Sequence, residues 1–178
     1  MLRMLKQRFN DIRVIKKLCM NAERHANAEG QEAPGLEHFV LAALDLPDGT
    51  ARKAFQRLGA DPDIFRSAIA EQYNIALGNI GIDATQLAAM QGNADGISPS
   101  GKIFRSQPQV QAFMQQLASR QREGSEGSLL GAHVIEAIAD FQHGVASRAF
   151  AAMGIDRKAL KEAARKESGR TRAGVDAA

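Results

Sequence analysis

The residues best suited to chemistry come in pairs. His38 and His133 stand at equivalent places in two related stretches, as do Asp45 and Asp140. Paired carboxylates can divide acid and base work between them, and an imidazole can serve as base or ligand. Glu37 stands beside the first histidine, and Ala132 takes its place beside the second. His25 and His143 have no second histidine at i+3 or i+4 and no nearby cysteine, so a metal-site spacing is missing. The single cysteine, Cys19, falls on an apolar helical face, where an inert buried thiol is expected rather than a nucleophile. One cysteine also excludes an internal disulfide framework and a zinc site built on two or more cysteines. Neither a metal nor a cofactor is expected.

Those pairs belong to a longer repeat. His38, Ala42, Asp45, Gly49, Ala51, Ala54, Phe55, Gly59 and Asp61 recur as His133, Ala137, Asp140, Gly144, Ala146, Ala149, Phe150, Gly154 and Asp156. The offset is constant, so Leu36 to Asp61 aligns with Gly131 to Asp156 without a gap. An internal repeat of this kind governs the whole reading. Residues that track a repeat serve its fold first. The two histidines therefore read as first-turn packing or hydrogen-bonding residues, and the two aspartates as residues of helix ends.

The elements that must position them are helices. Asn10 or Asp11 can cap a first helix, whose face is Ile15, Leu18, Cys19, Ala22 and Ala26 and whose terminator is Gly30. Leu36, Phe39, Val40, Ala43 and Leu44 form a second face. Ala51, Ala54, Phe55 and Leu58 form a third, after Pro47-Asp48-Gly49. Asp61-Pro62 starts a fourth helix, with Ile64, Phe65, Ala68 and Ile69 inward and an end near Ala76. Residues 9–77 are thus one unit. A Gly-rich linker over 78–106 follows, with a short helix expected from Asp83 to Gln91 and a flexible loop at G-I-S-P-S-G. Residues 107–168 form the second unit. Val110, Phe113, Met114 and Leu117 open it, Val134, Ile135 and Ile138 follow, then Phe150 with Met153, and Asp156 caps the last helix. The polar text over 169–178 reads as a disordered tail. The fold class is all-α, and Phe55 and Phe150 are expected as equivalent core residues.

Composition agrees with helices. Of 178 residues, 44% are hydrophobic, 5% aromatic and none Trp, so Ala, Leu, Ile, Met and a few Phe must fill the core. No apolar run approaches the length of a membrane span, and the N-terminus lacks the apolar region of a signal peptide. A soluble, cytoplasmic chain is expected, with no membrane partner. Net charge is +3, concentrated toward both ends. Nucleic-acid binding would call for a basic stripe with stacking aromatics or a known module, and neither is visible.

The sequence G-L-E-H-F-V-L-A-A-L, followed by G-T-A-R-K-A-F-Q-R-L-G-A-D, resembles the N-terminal repeat of Clp-type ATP-dependent unfoldases. Gly30 stands eight residues before His38, as the family's first-helix glycine does before its histidine, and Phe55 takes a position usually held by Leu. The resemblance spans roughly residues 9–168. It implies two four-helix repeats packed about a pseudo-twofold axis. It also implies a non-catalytic platform that docks adaptors, an unfoldase or substrate segments. No Walker A motif is present, so the chain is either a stand-alone member or the front piece of a longer protein. In some members the Glu of a G-T-E-H motif, in both repeats, helps bind phosphorylated arginine. Glu37 matches in the first copy, Leu36 replaces the Thr, and Ala132 replaces the second Glu, so at most one partial site is implied. The linker is longer than the family's usual one. The expected partner-binding residues are Gly35, Leu36, Glu37 and His38 with Gly131, Ala132 and His133, together with the groove between the repeats. The alternative is a stand-alone regulatory protein reusing the fold and binding nucleic acid through its basic ends.

Overall fold

The first helix, α1, spans Leu2–Ala28 and so begins well before the expected caps at Asn10 and Asp11. Asp11 is not a cap. It is buried within the helix, and its Oδ1 accepts a hydrogen bond from the Leu129 backbone N–H at 2.7 Å. With that carboxylate committed to a distant partner, the good helix formers ahead of it simply extend the helix. The computed structural model describes residues 2–79, 108–122 and 127–175, with side chains described over 8–79, 108–120 and 127–169.

Helix α2 (Leu36–Leu44) is buried at every position. Helix α3 (Thr50–Gln56) follows, and a 3-10 turn, Pro62–Ile64, leads into α4 (Phe65–Asn79). The Asp61 carboxylate accepts from the Asp63 N–H, the cap its position implied. The second half runs α5 (Pro108–Arg122), α6 (Gly131–Ile138), α7 (Val145–Ala152) and α8 (Arg157–Val175). Asp156 caps α8 by accepting from the Ala159 N–H at 2.8 Å. The described residues are entirely helical apart from turns. None of their helices is long and apolar enough to cross a membrane.

Three details depart from the sequence reading. Ile64 is 53% exposed because it ends the 3-10 turn, so the buried register of α4 starts one residue later, at Phe65. Leu58 lies beyond the end of α3 and is 36% exposed, so it is not a core residue. The last helix continues past Ser168 to Val175 where a disordered tail was expected, and both Glu167 and Ser168 are buried. Glu167 is held there by an ion pair with Arg57 of α3. The helix expected from Asp83 to Gln91 and the G-I-S-P-S-G loop lie outside the described residues.

The halves meet through a reciprocal set of contacts. Helix α3 packs on α8, α4 packs on α7, and α2 packs on α6. Exchanging the halves converts the first pairing into the second and returns the third to itself. One core results. At its centre the rings of Phe55, Phe65 and Phe150 lie 5.2–6.0 Å apart, and Phe39 meets Phe113 at 5.3 Å. Phe55 and Phe150 are both fully buried, as the repeat required.

Candidate functional site

Both repeated histidines close the first turn of a helix. The Gly35 N–H donates to His38 Nδ1 at 2.9 Å, and the Leu130 N–H donates to His133 Nδ1 at 3.0 Å. Each imidazole thereby satisfies a backbone donor that helix geometry leaves without a partner. An accepting Nδ1 puts the proton of neutral His38 on Nε2, which faces Glu29 Oε2 at 3.2 Å. These are structural roles, as the repeat suggested.

Glu37 is 3% exposed. Its Oε1 accepts a hydrogen bond from the Tyr73 hydroxyl at 2.7 Å. Burial, then the bond to Glu37, pushes the tyrosine well above its ordinary range, so it stays a donor. The carboxylate folds back over Gly35 so closely that a Cβ there would lie 2.4 Å from Oε1. The repeat offset explains why the second copy differs. Gly35, Glu37 and Tyr73 correspond to Leu130, Ala132 and Ser168. Where the carboxylate is gone, its donor is gone too, and a side chain has returned at the glycine position.

The second leading edge is equally closed. Gly131 and Ala132 are buried, and a Cβ on Gly131 would lie 3.0 Å from the Ala43 carbonyl. The Gly131 N–H donates to Asp48 Oδ2 at 3.2 Å, and the Ala132 N–H to Thr50 Oγ at 2.8 Å. The first repeat's α2–α3 turn thus caps α6 of the second repeat. Gly35, Leu36, Glu37, His38, Gly131 and Ala132 are all shut in, and only His133 is half-buried. As the fold stands, these residues offer little surface to a partner, and several of their polar atoms are engaged within the fold.

The paired aspartates also belong to the fold. Asp45 receives Arg24 at 3.2 Å and His25 Nε2 at 2.7 Å, and Asp140 pairs with Lys161 and takes Gln116 at 3.2 Å. Arg66 donates to His25 Nδ1 at 2.6 Å. Burial, then the neighbouring Arg66 and Arg24 charges, hold the imidazole below its ordinary pKa, and Asp45 opposes them. A histidine lowered in the folded chain favours unfolding as pH falls, because the unfolded chain takes up the proton first. The urea midpoint should therefore fall from about pH 7.5 to about pH 5.5, and fall less in His25→Gln. Equal falls in both proteins would remove His25 as the cause. Cys19 is buried, and burial followed by Glu23 raises its thiol, so it is inert at neutral pH. The described residues contain no cluster of three or more His, Cys, Asp or Glu fit to hold a metal ion.

Open clefts lie at two places among the described residues. One, about 220 Å³, lies between α5 and α6. Its charges are engaged with one another: Glu136 receives Arg120 at 2.9 Å and Arg165 at 2.8 Å. The other, about 250 Å³, lies at the junction of the repeats, between α1, the α2–α3 turn and the segment before α6. Val14, Leu46, Pro47 and Leu129 give it an apolar lining, and Arg13 and Lys17 stand at its edge. Neither cation makes an ion pair with a described residue. In the sequence Arg13 and Lys17 read as part of an ordinary solvated helix face. The available signal was their spacing at i and i+4 beside Val14.

Comparison with known families adds one match. Residues 14–94 fit the family model described as the Clp repeat (R) N-terminal domain. The matched span takes in most of the first repeat and ends before α5. No curated protein matches the chain.

Proposed function

We propose, for a chain that carries a Clp repeat N-terminal domain over residues 14–94, that the two-repeat body is a non-catalytic docking module. It binds an adaptor, an unfoldase or a substrate segment within a Clp-type chaperone or proteolysis system. The family match supports a protein-interaction module in general, and the groove at the repeat junction narrows that to a surface. The observation that carries the reading is an open apolar groove whose edge cations pair with no described residue, while the histidines and acidic residues that could have done chemistry are committed to the fold. A general base needs a free lone pair within reach of a substrate. His38 Nδ1 is taken by the Gly35 N–H, and both His38 and Glu37 are buried out of a substrate's reach.

The test is a crosslinked pull-down from lysate with the full chain as bait, scored for Clp-type ATPases, their adaptors and their clients. Enrichment of a Clp component over a bait with an unfolded core supports the proposal. Recovery of no Clp component or client sinks it. A salt-sensitive gel shift with duplex DNA, at moderate ionic strength and without Clp capture, would favour the nucleic-acid alternative.

A further inference from the structure

The outer side of α1 carries a second feature that the fold leaves unused. Phe9 is 65% exposed, Ile12 60% and Met20 59%. With Lys16 they fall at i, i+3, i+7 and i+11, one strip along the helix. Arg13 and Lys17 lie between this strip and the junction groove, so the two surfaces are continuous. From Arg8 to Ala22 the sole acidic residue is Asp11, which is buried and bound to the Leu129 N–H. Asp48, on the opposite wall, is occupied by Thr50 and the Gly131 N–H. Among the described residues the exposed charge of α1 from Arg8 to Ala22 is positive, and Arg8, Arg13, Lys16 and Lys17 make no ion pair with a described residue, while Asp48 keeps a half-buried negative charge on the far wall.

We propose that this surface takes an acidic protein segment with an apolar anchor: a Leu- or Phe-type side chain enters the junction groove while flanking Asp and Glu side chains pair with Arg13 and Lys17. The proposal rests on the docking function above and names the chemistry of the docked partner. Charge complementarity selects the flanks, since a basic rim repels basic segments and steers acidic ones. Concavity selects the anchor. A groove of about 250 Å³ is below the range that encloses small-molecule ligands and suits a single large side chain. A flat anionic bilayer would reach Phe9 and Ile12 but not the groove lining of Val14, Leu46 and Leu129.

The test measures binding of the full chain to three fluorescein-labelled peptides by anisotropy. All share a Leu-Phe anchor, flanked by Asp and Glu, by Lys, or by Ser. The acidic-flanked peptide should bind tightest and weaken as salt is raised. Arg13→Glu with Lys17→Glu should weaken it at least about tenfold, and Ser128→Phe, which fills the groove, should also weaken it. Lys158→Glu with Lys166→Glu, on the exposed side of α8, should leave it unchanged. Circular dichroism melts confirm that each variant is folded. The proposal is overturned if the Lys- or Ser-flanked peptide binds as tightly, or if charge reversal at Arg13 and Lys17 has no effect. Binding to phosphatidylserine vesicles without peptide binding also overturns it, in favour of a membrane surface. A charge-reversed bait that still captures Clp components would remove this surface and leave the docking function standing. A wild-type bait that captures none, while the peptide preference holds, would do the reverse.

Discussion

Replacing Phe55 or Phe150 by alanine should lower the free energy of unfolding by about 3–5 kcal/mol. Both side chains are fully buried, and their rings lie 6.0 Å apart at the seam between the halves. Each also packs on Phe65, at 5.9 Å and 5.2 Å. Truncation removes the transfer free energy of a ring and leaves a cavity that neighbouring helices fill only in part. Aromatic pair contacts are lost as well, worth about 0.5–1.5 kcal/mol beyond burial. Against a total stability of about 5–15 kcal/mol for an ordinary domain, that is a large fraction. Because one core serves both halves, each variant should unfold in a single transition monitored by circular dichroism in urea. The two losses should not add, since the rings share a neighbour. A change below about 1 kcal/mol in either variant would show that the core lies elsewhere.

Much of this core was legible because periodicity and repetition reported the same residues. The apolar faces of α2, α5, α6 and α7 fall where the spacing put them, and so do the caps at Asp61 and Asp156. What was not legible depended on long-range partners. Asp11 reads as a cap until Leu129 is seen to occupy it. The text after Ser168 reads as a tail until Arg57 is seen to hold Glu167, just before it. The leading edge was harder still. Glu37 at a helix start looks like a free acid, and nothing local says that Tyr73, a helix away, covers it. One clue was present. The offset that pairs Glu37 with Ala132 also pairs Tyr73 with Ser168 and Gly35 with Leu130, so three changes occur together.

That coupled difference yields the second large effect. Ala132→Glu, which restores the repeat's own residue to its second copy, should destabilise the protein by about 3–5 kcal/mol, the range for a buried charge without a partner. Ala132 is fully buried. A carboxylate there would find Ser168 where Glu37 finds Tyr73, and the Leu130 side chain where Glu37 finds the bare backbone of Gly35. Adding Ser168→Tyr and Leu130→Gly should recover part of the loss, because the donor and the space return together. Tyr73→Phe, the converse change, should cost about 1–3 kcal/mol by leaving the Glu37 carboxylate without its donor. Urea midpoints of the single and triple variants decide the matter. If Ala132 marked a binding site that had lost its acid, the single variant would be as stable as the parent and would gain affinity for a phosphorylated arginine peptide. If the asymmetry is a packing solution, the single variant is weak, the triple is stronger, and neither gains that affinity. A triple variant no more stable than Ala132→Glu alone would break the coupling between Glu37, Tyr73 and Gly35 on which the argument depends.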